Sequence, residues 1–156
     1  MRSKSLIPAT VFVALAAAGC GSAASATHAT GSPSTRADRP SMAFHVQLLG
    51  AAEVPPGAPQ GRGGAVIATH DRTLRVCWRF AHLKHFTKPT YAHIHIGDRG
   101  KSGAVVVPLS TGARFLHRGC VTTSAAVIRA IETQSQHYYV NIRSVRYRSG
   151  AVRGQL

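Results

Sequence analysis

The chain has 156 residues, enough for one domain of ordinary size, and 44% of them are hydrophobic. Its 19 Lys and Arg against 5 Asp and Glu give a formal charge of +14, which favours contact with polyanions such as anionic lipid headgroups or acidic wall polymers. So few acids argue against a glycosidase with paired carboxylates, and no Gly-x-Ser-x-Gly, phosphate-loop or His-Glu-x-x-His motif points to the commonest hydrolases or nucleotide-binding enzymes.

The N-terminal segment has the layout of an export signal. Arg2 and Lys4 form a positively charged start, and residues 6–19 are mainly Ala, Val and Leu. This apolar stretch is shorter than the roughly 20 residues that a membrane-spanning helix needs. Residues 1–19 are therefore predicted to be a signal peptide that directs the chain out of the cytoplasm. Export argues against nucleic acid as the partner of the basic surface.

Small residues precede Cys20 directly after the apolar stretch. The sequence LAAAGC at 15–20 resembles the lipobox of bacterial lipoproteins, in which the cysteine is lipidated and becomes the new N-terminus. The common pattern has Leu three positions before the cysteine, where this chain has Ala17. The resemblance implies an extracytoplasmic protein anchored to the membrane through acyl chains on Cys20. The alternative is an ordinary secretory signal cut at an Ala-x-Ala site, which would give a secreted protein.

The segment after Cys20 has the composition of a linker. Residues 21–41 are mostly Ala, Ser, Thr, Gly and Pro, without a large apolar side chain. Such a segment buries too little surface to offset the entropy lost on ordering. We therefore predict a flexible tether over 20–41 and one folded domain over 42–156.

The domain is divided by Gly and Pro into short β-like runs. The predicted strands occupy 44–48, 64–69, 74–80, 90–96, 104–109, 138–142 and 151–156. In the third run, alternation places the apolar side chains from Leu74 to Phe80 on one face and Arg75 and Arg79 on the other.

One segment has helical spacing instead. Val127, Ile128 and Ile131 would share one face of a helix over 124–133, with Ser124 as its N-cap. Seven or eight short strands and one short helix predict a mainly β domain, either an antiparallel sandwich or a small barrel with Greek-key connections.

The three cysteines leave a pair if Cys20 is lipidated. Cys77 and Cys120 both lie in strand-like sequence, and an oxidising compartment would allow them to form one disulfide. The alternative is two separate buried thiols.

Four segments of the domain resemble the CHRD domain, named for chordin and also found in bacterial secreted proteins. They are LGAAEVPP at 49–56, AHIHIG at 92–97, YYVNI at 138–142 and GAVRGQL at 150–156. Glu53, Asn141 and Arg153 each lie in one of these motifs. The resemblance covers 42–156 and implies an immunoglobulin-like β-sandwich without an established activity in bacteria. Family members usually have His after the late Tyr-Val-Asn segment, where this chain has Arg143.

His93 and His95 are two residues apart on a predicted strand and would project from the same face. Two imidazoles in this arrangement are suited to Cu or Zn, although a redox or hydrolytic site would need at least one more ligand. The alternative is a structural role in which both rings are hydrogen-bonded to backbone or to a carboxylate such as Glu53.

Two functional hypotheses follow from these patterns. The favoured one is a non-enzymatic binding module, anchored at the cell surface, that contacts an anionic wall polymer, anionic lipid or a surface protein. The other is a Cu- or Zn-binding protein, with a redox role as one variant, that uses His93 and His95.

Glu53 and Arg153 are the remaining pair of interest, because a guanidinium can contact a carboxylate through two hydrogen bonds. An exposed ion pair of little energetic weight is the alternative.

Overall fold

The computed structural model describes residues 39–156, which form eight antiparallel strands and one α-helix. The strands are β1 (Met42–Leu49), β2 (Arg62–His70), β3 (Arg75–Lys84), β4 (Pro89–Ile96), β5 (Val105–Ser110), β6 (Arg118–Thr122), β7 (Tyr138–Ser144) and β8 (Val152–Gln155). The helix, α1, is Ala125–Thr133. The prediction of a mainly β domain with one short helix is confirmed. β6 is an additional strand, which the sequence indicated only around Cys120.

All eight strands belong to one sheet, in the order β5-β4-β7-β8-β1-β2-β3-β6. Its two edge strands, β5 and β6, approach each other, so that the sheet is nearly closed. The predicted immunoglobulin-like Greek-key sandwich is not confirmed, and the architecture resembles a barrel instead. The physical reason is β8, which pairs with β7 on one side and with β1 on the other. Hydrogen bonds through β8 therefore join the two halves of the sheet that a sandwich would stack face to face.

The hydrophobic core lies on the inner face of this sheet. Period-two alternation along β3 buries Val76, Trp78 and Phe80, as predicted. Leu74 departs from the prediction, because it precedes β3, has a positive φ of 53° and is exposed. Ile96, at the end of β4, is likewise exposed, at 44%. Alternation thus predicts which side of the sheet a residue faces in the middle of a strand, but not at its ends.

The predicted helix is confirmed, together with its N-cap. The Ser124 hydroxyl accepts a hydrogen bond from the Val127 N–H at 3.2 Å, and Ile128 and Ile131 are buried on the sheet side. Glu132 adds a contact that the sequence does not indicate. Its carboxylate accepts hydrogen bonds of 2.6 Å from the hydroxyls of both Ser41 and Thr69. Those hydroxyls belong to the start and end of the β1–β2 pair, so this contact fixes α1 against the first hairpin.

The predicted disulfide between Cys77 and Cys120 is formed. The two cysteines lie directly opposite each other on β3 and β6, with their Cα atoms 4.0 Å apart. The bond therefore fastens the outer strand β6 to the rest of the sheet. It is consistent with an oxidising, extracytoplasmic location.

The predicted signal peptide (1–19), the lipidation site Cys20 and nearly all of the predicted tether (20–41) lie outside the described residues. Within residues 39–156, no helix is long and apolar enough to cross a membrane.

Candidate functional site

Polar side chains gather on the outer face of β4, β7 and β8. The inward residues of β4 and β7 are apolar, so alternation turns their neighbours outward. The strand register then aligns His93 with Asn141, and Asn141 with Arg153. The loop before β2 adds Glu53. We call these residues the polar cluster: Glu53, His93, His95, Asn141, Arg143 and Arg153. All but Arg143 are buried, although they lie on the outer side of the sheet.

Arg153 is held in this cluster by stacking on Tyr139 and by hydrogen bonds to a loop. Its side chain is only 2% exposed, and its Cζ atom lies 3.3 Å from the centre of the Tyr139 ring. His95 also stacks on Tyr139, with ring centres 4.8 Å apart and an interplanar angle of 7°. The guanidinium also donates hydrogen bonds to the carbonyl oxygens of Lys101 at 2.7 Å and Asp98 at 2.8 Å. Arg153 thus holds the loop between β4 and β5 down on the sheet.

The expected two-bond contact between Glu53 and Arg153 is not formed. Among residues 39–156, no carboxylate oxygen lies within 4.0 Å of the Arg153 guanidinium. The Nη1 and Nη2 atoms of Arg153 donate instead to two loop carbonyls and to the Gln155 side chain. Glu53 and Arg153 still influence each other, because the guanidinium lowers the pKa of the carboxyl.

His95 has hydrogen-bond partners at both ring nitrogens. Nδ1 lies 2.9 Å from the Gly103 carbonyl oxygen, and Nε2 lies 3.2 Å from Oδ1 of Asn141. Burial lowers the pKa of His95, whereas the contacts with Gly103 and Asn141 act in the opposite direction. These contacts correspond to the structural alternative for this histidine.

His93 is different, although it lies on the same face. Its side chain is 8% exposed, and its Nδ1 atom has no hydrogen-bond partner among the described residues. Burial, followed by the positive charge of Arg143 and the proximity of His95, lowers the pKa of His93 from 6.5 to about 4. Arg143 thus lies beside both histidines, and its Nε atom is likewise buried without a partner in this part of the chain.

The geometry lends no support to the predicted Cu or Zn site. The rings of His93 and His95 are 5.7 Å apart and nearly perpendicular. Among residues 39–156, no group of three or more His, Cys, Asp or Glu side chains is placed to hold a metal ion. His95 would also have to give up the Asn141 contact to bind a metal through Nε2.

Glu53 is a buried carboxyl with an unpartnered oxygen. It is 5% exposed, and Oε1 accepts no hydrogen bond from any described residue. It packs flat on Gly150, where an added Cβ atom would lie 2.2 Å from Oε1, so this contact requires glycine. Burial raises the pKa of Glu53 from 4.5 to about 7, against the lowering effects of Arg153 and Asn141.

Glu53→Gln is expected to change the pH dependence of stability. Because its pKa is raised, the protonated carboxyl makes its full contribution to stability below pH 4.5, and this contribution is lost as the pH rises through about 7. Between these pH values the free energy of unfolding of the wild type should fall by up to about 3 kcal/mol relative to that of Glu53→Gln, at 1.36 kcal/mol per pKa unit. Urea denaturation of both proteins across this range measures the difference.

His93 changes the stability of the fold with pH in the opposite direction to Glu53. Its lowered pKa gives stability that is present above pH 6.5 and lost as the pH falls through about 4. Both proteins contain His93, so its contribution cancels in the comparison. A stability difference that stays constant with pH would show that Glu53 is not protonated in the folded protein at neutral pH.

A second feature is a groove of about 700 Å³ on the outer face of β1, β2 and β3. Its lining includes residues with little or no side chain, among them Gly63, Gly64 and Ala81. None of its described lining residues is acidic. The basic and histidine side chains along it are His45, Arg62, Arg79, His82 and Lys84. We call it the basic groove.

The strand register brings like charges together in the basic groove. Arg62 of β2 lies directly opposite Lys84 of β3, although like charges at such positions are destabilising. A bulge in β3 produces this pair. Gly64 is paired with Ala81, and from there β3 takes three residues to reach Lys84, whereas β2 takes only two to reach Arg62. His82, inside the bulge, has a positive φ of 54°. A ligand with negative charge would relieve this repulsion.

A smaller cavity of about 430 Å³ adjoins the groove across β1. Both are lined by His45, Val46 and Gln47. Its far side is formed by Glu53, Arg99 and Arg153. The sequence did not indicate the groove or the cavity, since their residues come from five separate segments. The usable signal was the run of small residues Gly63, Gly64 and Ala65 directly after Arg62.

The CHRD domain family model matches residues 44–156. The matched range begins inside β1 and includes every residue of the polar cluster and of the basic groove. No curated protein and no solved structure matches the chain.

Proposed function

The chain belongs to the CHRD domain family, and we propose that its folded domain is a non-enzymatic module that binds an anionic component of the cell surface in the basic groove. The observation that carries this proposal is the Arg62–Lys84 pair, in which two cations face each other in a groove without an acidic side chain among its described lining residues. In this proposal the lipid on Cys20 holds the module at the membrane, and residues 20–41 give it reach.

The formal charge of +14 supports the proposal only in part. A dispersed basic surface attracts polyanions without a defined site. The groove adds what a dispersed surface lacks, because it gathers cations from β2 and β3 along one groove. The proposal therefore differs from general attraction in one testable respect, which is the location of the cations that matter.

We expect Arg62→Gln, Arg79→Gln and Lys84→Gln together to weaken binding to anionic wall fragments on the order of 100-fold. The estimate assumes about 1 kcal/mol for each basic residue near an anionic surface, and 1.4 kcal/mol for each tenfold change in affinity. The measurement is sedimentation of the purified protein with wall fragments over a series of salt concentrations. The triple variant should also bind with a shallower dependence on salt.

The matched control removes the same charge elsewhere. Arg72, Arg114 and Arg129 are exposed and do not line the groove, so replacing all three by Gln should have a much smaller effect. Equal loss in both triple variants would mean that only net charge matters, and would refute a site in the groove.

A further inference from the structure

We propose that the ligand of the basic groove is a linear polyanion, such as a phosphodiester-linked polymer, whose chain continues across β1 into the adjoining cavity. This inference rests on the proposed function and makes it specific. The groove and the cavity share His45, Val46 and Gln47 of β1 as a common wall. Together they form one track across four neighbouring strands, β3, β2, β1 and β8.

Positive charge lies at both ends of this track. Arg62, Arg79 and Lys84 line the end at β2 and β3, and Arg99 and Arg153 line the end at β8. Adjacent strands are about 4.8 Å apart, so the four strands span about 14 Å. A single phosphate can reach one end only. A chain with regularly repeated negative charges can reach both, and this favours a polymer over a free anion.

The two arginines at the β8 end have different roles. Arg153 is buried, and its Nη1 and Nη2 atoms already donate to Lys101, Asp98 and Gln155, so its main contribution is positive charge. Arg99 is exposed and can follow a ligand. Glu53 is the one acidic residue among those described along the track. Its raised pKa leaves it largely uncharged in mildly acidic solution.

The shape of the groove favours a chain over a bilayer. A flat membrane surface contacts the side chains that protrude, whereas a thin chain can enter the groove and contact the glycine and alanine residues of its lining. Gly64 makes this difference testable. An added Cβ atom there would meet no heavy atom closer than 3.9 Å, so a side chain can be introduced at this position of the groove, and valine is compatible with a strand.

The experiment measures the affinity of the purified protein for inorganic phosphate, pyrophosphate and linear polyphosphates of increasing length, by calorimetry at constant ionic strength. We expect the affinity to rise with length until the chain spans about 14 Å and then to level off. Gly64→Val should weaken binding of long chains at least tenfold. Arg99→Gln should weaken long chains severalfold while leaving pyrophosphate unchanged, and Arg114→Gln, at an exposed position away from the track, should have little effect. Thermal unfolding of each variant verifies that it is folded.

The outcomes separate this inference from the proposed function. If pyrophosphate binds as tightly as long chains, or if Arg99→Gln affects both equally, the continuous track is wrong while the groove remains an anion site. If the protein binds anionic phosphatidylglycerol vesicles and Gly64→Val has no effect on either ligand, the partner is a lipid surface and the inference is overturned. If neither polyphosphate nor wall fragments bind, the proposed function fails as well.

Discussion

Replacing both Cys77 and Cys120 by alanine is expected to lower the free energy of unfolding by about 4 kcal/mol. The disulfide closes a loop with a sequence separation of 43 residues, and the chain-entropy model gives about this value for a loop of that length. The bond also joins the outer strand β6 to β3, so its removal should loosen the strand that faces β5. Single domains have a total stability of about 5 to 15 kcal/mol, so this loss is a large fraction.

Urea denaturation with and without a reducing agent measures the effect. The wild type should lose the same stability on reduction, whereas the double variant should be insensitive to the reductant. Hydrogen exchange should become faster in β6 before it does in β1 or β2. An unchanged midpoint in the double variant would show that the pairing of β3 with β6 is maintained by backbone hydrogen bonds and packing alone.

Arg153→Met is expected to destabilise the domain by about 3 kcal/mol, because a buried network loses its centre. Methionine has a similar length, but it cannot donate hydrogen bonds to the Lys101 and Asp98 carbonyls or form the cation–π contact with Tyr139. The loop between β4 and β5 should then become more mobile. The pKa of Glu53 should rise further above its value of about 7, since the positive charge that lowers it is removed.

Two variants separate the effect of the Arg153 charge from the effect of its hydrogen bonds and stacking. Arg153→Lys keeps the charge but loses the planar donor group, so it should restore the pKa of Glu53 without restoring the full stability. Arg99→Met changes an exposed arginine on the same cavity and should alter stability by no more than about 0.5 kcal/mol. Stability is measured by urea denaturation, and the Glu53 pKa by carboxyl NMR titration. A full recovery of stability in Arg153→Lys would mean that the stack and the carbonyl contacts contribute little.

The polar cluster illustrates how identical sequence patterns acquire different roles. His93 and His95 are equivalent in the sequence, as alternate residues of one strand, and the structure confirms that they share a face. Only His95 has partners at both nitrogens. Its Nδ1 contacts Gly103, which is in the loop before β5, and its Nε2 contacts Asn141 of β7. Nothing near His93 in the sequence indicates that it lacks an equivalent set of contacts.

The sequence by itself determined the local structure. Alternation along β3 placed Val76, Trp78 and Phe80 in the core, and the Ser124 cap and helical spacing determined α1. Setting Cys20 aside as the predicted lipidation site left Cys77 and Cys120 as the pair. These features depend on residues close in the chain or on simple pairing. Tertiary structure alone decided the near closure of the sheet through β8, the partners of Arg153 and the facing cations Arg62 and Lys84. Each of these depends on the register between distant strands, which is set by packing of the whole sheet and cannot be deduced from the pattern of any one segment.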